Sequence, residues 1–189
     1  MTIAGVLLAA GGGSRFTDGV HKLRADFRGR PLIAWSLTAA DEAGFNQLYV
    51  VTGAADVADI VAEVAGERAT IVDNPRWAEG QATSLALAVR RATADGHRAI
   101  VVGLADQPLV PASAWRSVGA AAGEIVVACF DGERRPPVKL DRSVWADLPE
   151  VGDEGARSLI RLRPDLVSEL PCSGNPVDID TLEDLQRWS

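Results

Sequence analysis

The stretch that decides the fold is Val6-Leu7-Leu8-Ala9-Ala10-Gly11-Gly12-Gly13-Ser14-Arg15-Phe16, and Lys22 follows Arg15 by seven residues. An apolar run of strand length, residues 3–10, leads into three consecutive glycines. Because glycines weaken the interior of a strand or helix, this arrangement predicts a strand that ends in a loop. The loop leaves backbone N–H groups free to bind an anion, and Arg15 and Lys22 add positive charge. The stretch therefore predicts a phosphate-binding loop, and the alternative is a flexible turn that binds nothing.

Two common phosphate loops do not match this stretch. A P-loop ends in Gly-Lys-Ser/Thr, which residues 11–17 do not contain. The dinucleotide fingerprint Gly-x-Gly-x-x-Gly/Ala fits Gly11 and Gly13, but Phe16 occupies its third position. The pattern that remains is Leu-x-x-Gly-x-Gly-x-Arg with a later lysine, which resembles the signature loop of nucleotidyltransferases.

The composition indicates an ordinary globular chain. Its 189 residues suit a single domain over 1–189 with a sizeable core, and 47% of them are hydrophobic. A net charge of −7 argues against broad contact with nucleic acid, because such contact needs a basic face. A nucleotide is still compatible with this charge, since one local basic pocket can form on an acidic protein.

The sequence does not match membrane, secreted, disulfide-rich or zinc-binding classes of protein. The longest apolar runs, such as residues 99–105, are too short to span a bilayer, and the first residues show no secretory signal. We therefore expect a cytoplasmic protein without membrane contact. The two cysteines, Cys129 and Cys172, form no CxxC motif and indicate neither a disulfide framework nor a zinc site.

Apolar runs alternate with amphipathic segments along the chain, which is typical of βαβ units and a mostly parallel sheet. The patterns predict strands over 3–10, 47–52, 70–72, 98–104, 124–130, 167–170 and 177–179, with a short extended piece that ends near Leu140. They predict helices over 31–43, 56–65, 83–94, 111–122, 142–148 and 154–162, and a last helix capped by Thr181 and Asp184. Ligands of such sheets bind beyond the carboxyl ends of the strands, where Asp106 is expected.

Five separated segments together resemble the nucleotidyltransferases of molybdenum cofactor biosynthesis, particularly the molybdenum cofactor cytidylyltransferases. They are Leu8–Arg15 with Lys22; Asp73-Asn74-Pro75 with Gly80 and Ser84-Leu85; Ala105-Asp106-Gln107-Pro108-Leu109; Gly152-Asp153-Glu154-Gly155-Ala156-Arg157; and Asp178-Ile179-Asp180-Thr181 with Glu183-Asp184-Leu185. The resemblance covers nearly the whole chain. It implies an α/β fold of the nucleotide-diphospho-sugar transferase type, a three-layer α/β/α sandwich with a mostly parallel sheet and the active site along its carboxyl edge.

The resemblance also implies a reaction and a set of site residues. The terminal phosphate of molybdopterin would attack the α-phosphorus of a nucleoside triphosphate, and pyrophosphate would leave. Arg15, Lys22 and Asp106 would be catalytic, and Asp106, Asp178 and Asp180 would bind Mg²⁺, which prefers carboxylates, phosphate oxygens and water. The implied nucleotide-binding residues are Leu8, Ala9, Ala10, Gly11, Gly12, Gly13, Ser14, Arg15, Lys22, Asn74, Gly80 and Ser84.

The choice of base and acceptor depends on finer details. In the family, Leu-Ala-Ala-Gly accompanies cytidine enzymes and Leu-Ala-Gly-Gly accompanies guanine enzymes, so the run from Leu8 to Gly11 favours CTP over GTP. Sugar-directed relatives share Ala-Ala-Gly, however. The family's Gly-His-Pro or Gly-Asn-Pro turn near the acceptor is replaced by Arg135-Pro136-Pro137, which leaves the acceptor open with molybdopterin as the leading candidate. A transient contact with a molybdoenzyme is expected if molybdopterin is the acceptor.

Several alternatives stay open at this point. A guanylyltransferase, or a transferase for another phosphorylated acceptor, would keep the same motifs. A non-catalytic chaperone for the cofactor would keep the fold, whereas a nicotinamide-dependent oxidoreductase is disfavoured by Phe16. The sequence does not decide whether Trp77 flanks a ligand or packs in the core. Arg134, Arg135 and Arg157 fit either a binding site for the acceptor's phosphate or a solvated charge cluster.

Overall fold

The computed structural model describes residues 2–13, 16 and 19–189 of the chain. Its strands are β1 (Ile3–Leu8), β2 (Asp26–Phe27), β3 (Arg30–Pro31), β4 (Gln47–Thr52), β5 (Ala69–Asp73), β6 (Ala99–Leu104), β7 (Ile125–Phe130), β8 (Glu133–Asp141) and β9 (Val167–Pro171). Its α-helices are α1 (Leu32–Glu42), α2 (Ala58–Val64), α3 (Gln81–Ala94), α4 (Ala112–Ala120), α5 (Ala156–Leu162) and α6 (Leu182–Trp188). This confirms the predicted α/β class.

Seven of the strands form one sheet in the order β5-β4-β1-β6-β8-β7-β9, and β2 and β3 form a separate small hairpin. The pairs β5/β4, β4/β1, β1/β6 and β7/β9 are parallel, whereas β8 runs antiparallel to both of its neighbours. The prediction of a mostly parallel sheet is therefore confirmed.

The sheet is covered on both faces, which gives the predicted three layers. Side chains alternate across a strand, so neighbouring residues of β1 enter different cores. Leu7 packs in a cluster with residues of α1, α2 and α4, including Leu37 and Trp115. Val6 packs in a second cluster with residues of α3 and α5, including Leu85 and Leu159.

The last third of the chain departs from the sequence predictions in three places. The sequence predicted only a short extended piece that ends near Leu140, but β8 already begins at Glu133 and pairs with β7 through a turn at Asp131 and Gly132. Both turn residues have positive φ angles, 48° and 86°, as a two-residue hairpin turn requires. The helix predicted over 142–148 is a 3₁₀ helix, Arg142–Asp147. The strand predicted over 177–179 is irregular backbone among the described residues.

The C-terminal segment is fixed to the sheet edge in spite of its irregular backbone. The N–H of Ile179 donates to the carbonyl of Asp106 at 2.9 Å, and its side chain is buried with Phe27 and Leu32. The predicted cap of α6 is present, because Thr181 and Asp184 form a reciprocal capping box. No helix in the described ranges has both the length and the apolar character needed to cross a membrane.

Candidate active site

The parallel strands β5, β4, β1 and β6 end at the same edge of the sheet, and the segments that follow β5, β1 and β6 line one cavity of about 650 Å³. We call it the active-site cavity. Predicted site residues that line it are Leu8, Ala9, Ala10, Gly11, Gly12, Gly13, Lys22, Gly80, Ser84, Asp106, Asp178 and Asp180. Ser14 and Arg15, which the sequence also assigned to the site, lie outside the described residues.

The glycine loop needs its glycines because Trp77 lies against it. A Cβ added to Gly12 would lie 2.9 Å from the Trp77 indole, and Gly13 has a φ of +58° that disfavours side chains. A Cβ at Gly53 would lie 2.7 Å from the Cβ of Trp77 and 2.9 Å from the carbonyl oxygen of Ala10. Trp77 is 37% exposed and lines the active-site cavity. The tryptophan therefore covers the loop from outside the hydrophobic core.

Lys22 lies at the centre of the charged part of the cavity. Its Nζ donates to Asp106 Oδ2 at 2.6 Å and to Asp180 Oδ1 at 2.7 Å, and its side chain is only 9% exposed. Burial lowers the pKa of Lys22, but the charges and hydrogen bonds of Asp106 and Asp180 outweigh burial and raise it above its ordinary value. Lys22 is therefore a permanent cation that two carboxylates share.

Asp178 lies in the same cavity but has different partners. It accepts a hydrogen bond from the side-chain amide of Gln107 at 2.9 Å, and its Oδ2 lies 3.8 Å from a guanidinium nitrogen of Arg135. Burial, followed by the charge of Asp106, raises the pKa of Asp178. The structure thus brings the three predicted carboxylates into one cavity, and two of them converge on a single cation.

A metal ion at this position would need ligands from outside the protein. In the part of the chain that the structure describes, no set of three or more His, Cys, Asp or Glu side chains is arranged to hold a metal. Asp106 and Asp180 already approach one cation within 2.7 Å. Two carboxylates combined with phosphate oxygens and water are the ligand set that Mg²⁺ prefers. These two residues therefore fit a metal that arrives with a phosphorylated ligand.

Asn74 lies behind the cavity wall, although the sequence predicted that it binds nucleotide. It is 3% exposed and donates to the hydroxyls of Thr83 and Ser84, both at 2.9 Å. Its side-chain oxygen accepts from the N–H of Arg76 at 3.0 Å. Asn74 fixes the loop before α3, and Ser84 lines the active-site cavity beside it.

Gly80 connects this loop to a segment far along the chain. Its φ is +107°, and an added Cβ would lie 2.4 Å from the carbonyl carbon and oxygen of Gly152. The N–H of Gly152 donates to the carbonyl of Glu79 at 3.1 Å, and the N–H of Ala82 donates to the carbonyl of Gly152 at 2.8 Å. This contact brings the segment that contains Asp153 to the cavity.

The structure adds residues that were not among the predicted site residues. Gln81, Arg135, Asp153 and Arg157 line the active-site cavity together with Trp77. The sequence contained a signal for four of them. It left Trp77, Arg135 and Arg157 open as ligand contacts, and Asp153 and Arg157 belong to the resembled segment of residues 152–157. Asp153 and Arg157 reach the cavity because Gly152 packs against Gly80. These two glycines are far apart in the sequence, so a local sequence pattern does not predict their contact.

The cavity has the parts that a polyphosphate requires. Glycine backbone can approach an anion closely, and Lys22 and Arg157 supply positive charge beside it. Asp106 and Asp180, which flank Lys22, suit a cation bound to the same phosphates. Such a site favours reactions in which charge develops on phosphoryl oxygens.

Comparison with known proteins agrees with this geometry. The sequence profile of the MobA-like NTP transferase domain matches residues 5–169. The crystal structure of Rv0371c from Mycobacterium tuberculosis H37Rv is 30% identical, with a TM-score of 0.83 over 99% of this chain and 97% of that chain. A second structure of Rv0371c, in complex with manganese, has a TM-score of 0.78 at 29% identity, over 100% of this chain and 98% of that chain.

Two curated relatives match over different lengths. The purine catabolism protein PucB of Bacillus subtilis is 29% identical over 195 residues, which cover 96% of this chain and 93% of PucB. The bifunctional protein GlmU of Caulobacter vibrioides is 35% identical over 111 residues, which cover 58% of this chain and 23% of GlmU. The chain thus spans about a quarter of the length of that GlmU. Because the family profile covers most of the sequence and the fold agrees, the chain belongs to the MobA-like NTP transferase family.

Proposed function

We propose that this chain transfers the cytidylyl group of CTP to the terminal phosphate of molybdopterin, with release of pyrophosphate. The observation that carries the proposal is Lys22, which Asp106 and Asp180 hold at the edge of the glycine loop. The proposal covers residues 1–189 as one transferase domain. A cytoplasmic location and a transient contact with a molybdoenzyme stay predictions.

The reaction depends mainly on positioning of the two phosphates and on neutralisation of their negative charge. An oxygen of the acceptor's phosphate attacks the α-phosphorus, a new P–O–P bond forms, and the bond to the β-phosphate breaks. The backbone of Gly11 to Gly13 would orient the triphosphate, and Lys22 would offset negative charge as pyrophosphate leaves. Arg15 is predicted to assist from the same loop.

Mg²⁺ is the proposed metal, and Asp106 and Asp180 are the residues proposed to hold it, with Asp178 as the third predicted ligand. When bound, Mg²⁺ would offset the negative charge of the CTP phosphates. Support comes from the convergence of the two carboxylates on one cation. The manganese complex of Rv0371c adds support, because a hard divalent cation binds a protein 29% identical to this chain.

The choice of CTP follows from the loop sequence. Ala9 and Ala10 line the active-site cavity, and the N–H of Ala54 donates to the Ala10 carbonyl at 3.2 Å. An alanine at the position of Ala10 leaves less room than glycine, which favours a pyrimidine. Molybdopterin is proposed from the resemblance of the five motifs, and another phosphorylated acceptor would need the same chemistry at the α-phosphorus.

A product assay tests the proposal directly. Purified protein would be incubated with α-³²P-labelled CTP, Mg²⁺ and molybdopterin, and the labelled dinucleotide and the pyrophosphate would be quantified. Asp106→Asn should lower turnover by about 100-fold or more, because the proposed Mg²⁺ loses a charged ligand and Lys22 loses one of its two carboxylate partners. Asp165→Asn, at an exposed residue paired with Arg163, is the matched control and should retain full activity. Dinucleotide formation with GTP but not CTP would overturn the choice of base.

A further inference from the structure

His21 lies between the glycine loop and the segment that carries Lys22. Its Nε2 lies 2.9 Å from the carbonyl oxygen of Gly11, and its Nδ1 accepts a hydrogen bond from the N–H of Leu23 at 3.3 Å. Leu23 belongs to a 3₁₀ helix, Lys22–Arg24, and His21 is the N-terminal cap of that helix. One imidazole ring thus connects the glycine loop to the helix that begins with Lys22.

These two contacts determine the tautomer of His21. A carbonyl oxygen only accepts hydrogen bonds, so Nε2 must carry the proton that it donates to Gly11. A backbone N–H only donates, so the Nδ1 that faces Leu23 must be unprotonated. Burial, together with the positive charge of Lys22, lowers the pKa of His21, which favours the neutral ring. The neutral form with its proton on Nε2 satisfies both partners.

The bond to His21 also fixes the direction of the peptide group between Gly11 and Gly12. This peptide is trans and planar, so its C=O and its N–H point in opposite directions. Because the carbonyl of Gly11 is directed at His21, the N–H of Gly12 points away from His21. Within residues 2–13, 16 and 19–189, the N–H groups of Gly11, Gly12 and Gly13 have no hydrogen-bond acceptor, so they are available to a ligand.

The residues that line the two neighbouring surfaces place His21 and the active-site cavity on different sides of the glycine loop. The loop glycines line the active-site cavity, and His21 does not. His21 instead lines a shallow surface depression with Arg24 and Asp59, and among the described residues this depression shares no wall residue with the active-site cavity. The side of the loop away from His21 is therefore the side on which a phosphate would bind.

Glycine makes this peptide group easy to turn over. Half a turn needs only a change of ψ at Gly11 and of φ at Gly12, and glycine adopts both signs of φ at little cost. The turned peptide would present its carbonyl oxygen to the triphosphate, and the partial negative charge of that oxygen would repel the phosphates. The conformational freedom that lets the loop approach an anion therefore requires a contact that holds the Gly11 carbonyl away from the cavity.

We propose that His21 is a positioning residue for the transfer, which holds the carbonyl of Gly11 outside the active-site cavity so that the N–H of Gly12 faces the phosphates. His21 does not contact the reacting atoms and acts through the glycine loop. The proposal rests on the proposed function only in requiring a polyphosphate in the active-site cavity, and it applies to any base and any acceptor. The same ring keeps Lys22 beside the loop, because Lys22 directly follows His21 and begins the capped helix.

Two substitutions at this position separate the contact with the loop from the cap of the helix. In His21→Gln, the side-chain amide can take the place of the Nε2–H group and donate to Gly11. In His21→Asn, the shorter side chain can still accept from the N–H of Leu23, as asparagine does at helix starts, but it does not reach Gly11. Only the asparagine variant should therefore leave the Gly11 carbonyl unbound.

Binding of inorganic tripolyphosphate with Mg²⁺ measures the consequence, by calorimetry on the full chain below the melting temperature of each variant. His21→Asn should bind this probe at least about tenfold more weakly than the wild type, because a hydrogen bond to a charged phosphate is lost. His21→Gln should recover most of that affinity. Arg24→Gln, which removes an exposed ion pair with Asp59 beside His21, is the matched control and should bind like the wild type. Equal affinities of the wild type and His21→Asn, or equal losses in the two His21 variants, would overturn the proposal.

The tautomer of His21 gives a second test, which applies even if the asparagine variant melts early. The sequence contains two histidines, so after ¹⁵N labelling the resonances of His21 are those that disappear in His21→Gln. In the wild type near neutral pH, magnetic resonance should show a protonated Nε2 and an unprotonated Nδ1. A ring protonated on Nδ1, with or without a proton on Nε2, would contradict the proposal, because it does not fit both contacts.

Nucleotide binding on the same samples separates this proposal from the proposed function. If the wild type binds tripolyphosphate with the expected dependence on His21 but does not bind CTP, the transfer from CTP is wrong and the role of His21 stands. If CTP with Mg²⁺ binds equally well to the wild type and to His21→Asn, the role of His21 is wrong and the assignment of CTP stands.

Discussion

Lys22 donates hydrogen bonds to two carboxylates that lie 84 and 158 positions away in the sequence, Asp106 and Asp180. A buried charge is tolerated only when it is paired, and here one ammonium compensates two carboxylates at once. The same two carboxylates are those proposed to hold Mg²⁺. In the absence of nucleotide, a divalent ion must therefore compete with Lys22 for both of them.

Removal of Lys22 should expose this competition. In Lys22→Met, Mn²⁺ should bind without nucleotide at least about tenfold more tightly than in the wild type, because the two carboxylates lose their internal cation. The affinity for CTP with Mg²⁺ should fall in the same variant. Free Mn²⁺ measured by electron paramagnetic resonance gives the affinity for Mn²⁺, and calorimetric titration gives the affinity for CTP with Mg²⁺, both below the melting temperature of each variant. Arg24→Met, which removes an exposed ion pair with Asp59, is the control, and weaker Mn²⁺ binding in Lys22→Met would contradict the account.

Tyr49 supplies a second test at this scale, because it is the only tyrosine in the sequence. Its hydroxyl donates to Asp95 at 2.6 Å, and burial together with the charge of Asp95 raises its pKa well above 10. The folded state thus holds the phenol proton more tightly than the unfolded state. The resulting stability is present below pH 10 and is lost as the pH rises from 10 toward the raised pKa.

The absorbance of the phenolate near 295 nm follows this titration. The signal should appear only above the ordinary range of tyrosine, and it should coincide with unfolding recorded by circular dichroism. In Asp95→Asn the titration should begin at lower pH, because the nearby negative charge is removed. A normal titration near pH 10 in the folded wild type would show that Tyr49 is open to solvent.

At the element scale, the site is assembled where secondary structure ends. The parallel strands were predictable from apolar runs between helical patterns, since each run is followed within four residues by a glycine or proline. Strand β8 was missed at its start because Glu133, Arg134 and Arg135 are charged, although Asp131-Gly132 is a hairpin signal. The segment that contains Asp178 was predicted as a strand because Val177 and Ile179 alternate with aspartates, but tertiary packing of Ile179 against Phe27 fixes it as irregular backbone.

Gly80 is the element boundary on which the docking of residues 152–157 depends. Gly80→Ala should lower the free energy of unfolding by at least about 2 kcal/mol more than Gly96→Ala, because a Cβ clashes with the Gly152 backbone only at Gly80. Both glycines have positive φ angles, 107° and 77°, and no atom lies within 4 Å of a Cβ at Gly96. Urea unfolding at equilibrium measures both values. Equal losses would mean that strain alone, and not the contact with Gly152, determines the cost at Gly80.

At the scale of the whole molecule, the active-site cavity and a second cavity of about 350 Å³ share part of one wall near the carboxyl edge of the sheet. The sequence allowed the first to be predicted because glycines, Lys22 and Asp106 follow recognisable strands. The sequence did not allow the second cavity to be predicted. Its wall combines apolar residues from five elements that are distant in the sequence (α3, β6, β7, β8 and α5), and each of these residues has the local pattern of an ordinary core residue. Asn74 shows the same limit of prediction from sequence. A motif places Asn74 near the site, but only the folded chain shows that it lies behind the cavity wall and bonds to Thr83 and Ser84.

The central claim, that the active-site cavity is a metal-dependent site for CTP, is tested most directly by thermal unfolding with added nucleotides. Wild-type protein and Asp106→Asn would be heated with CTP, GTP, ATP, UTP or NADH, each with Mg²⁺ and with EDTA. A ligand at 100 times its Kd stabilises the folded state by about 2.7 kcal/mol, which is a readily measured rise in melting temperature. We predict the largest rise for CTP, only with Mg²⁺ and only in the wild type. An equal rise in EDTA or in Asp106→Asn, or a rise with NADH alone, would contradict the account.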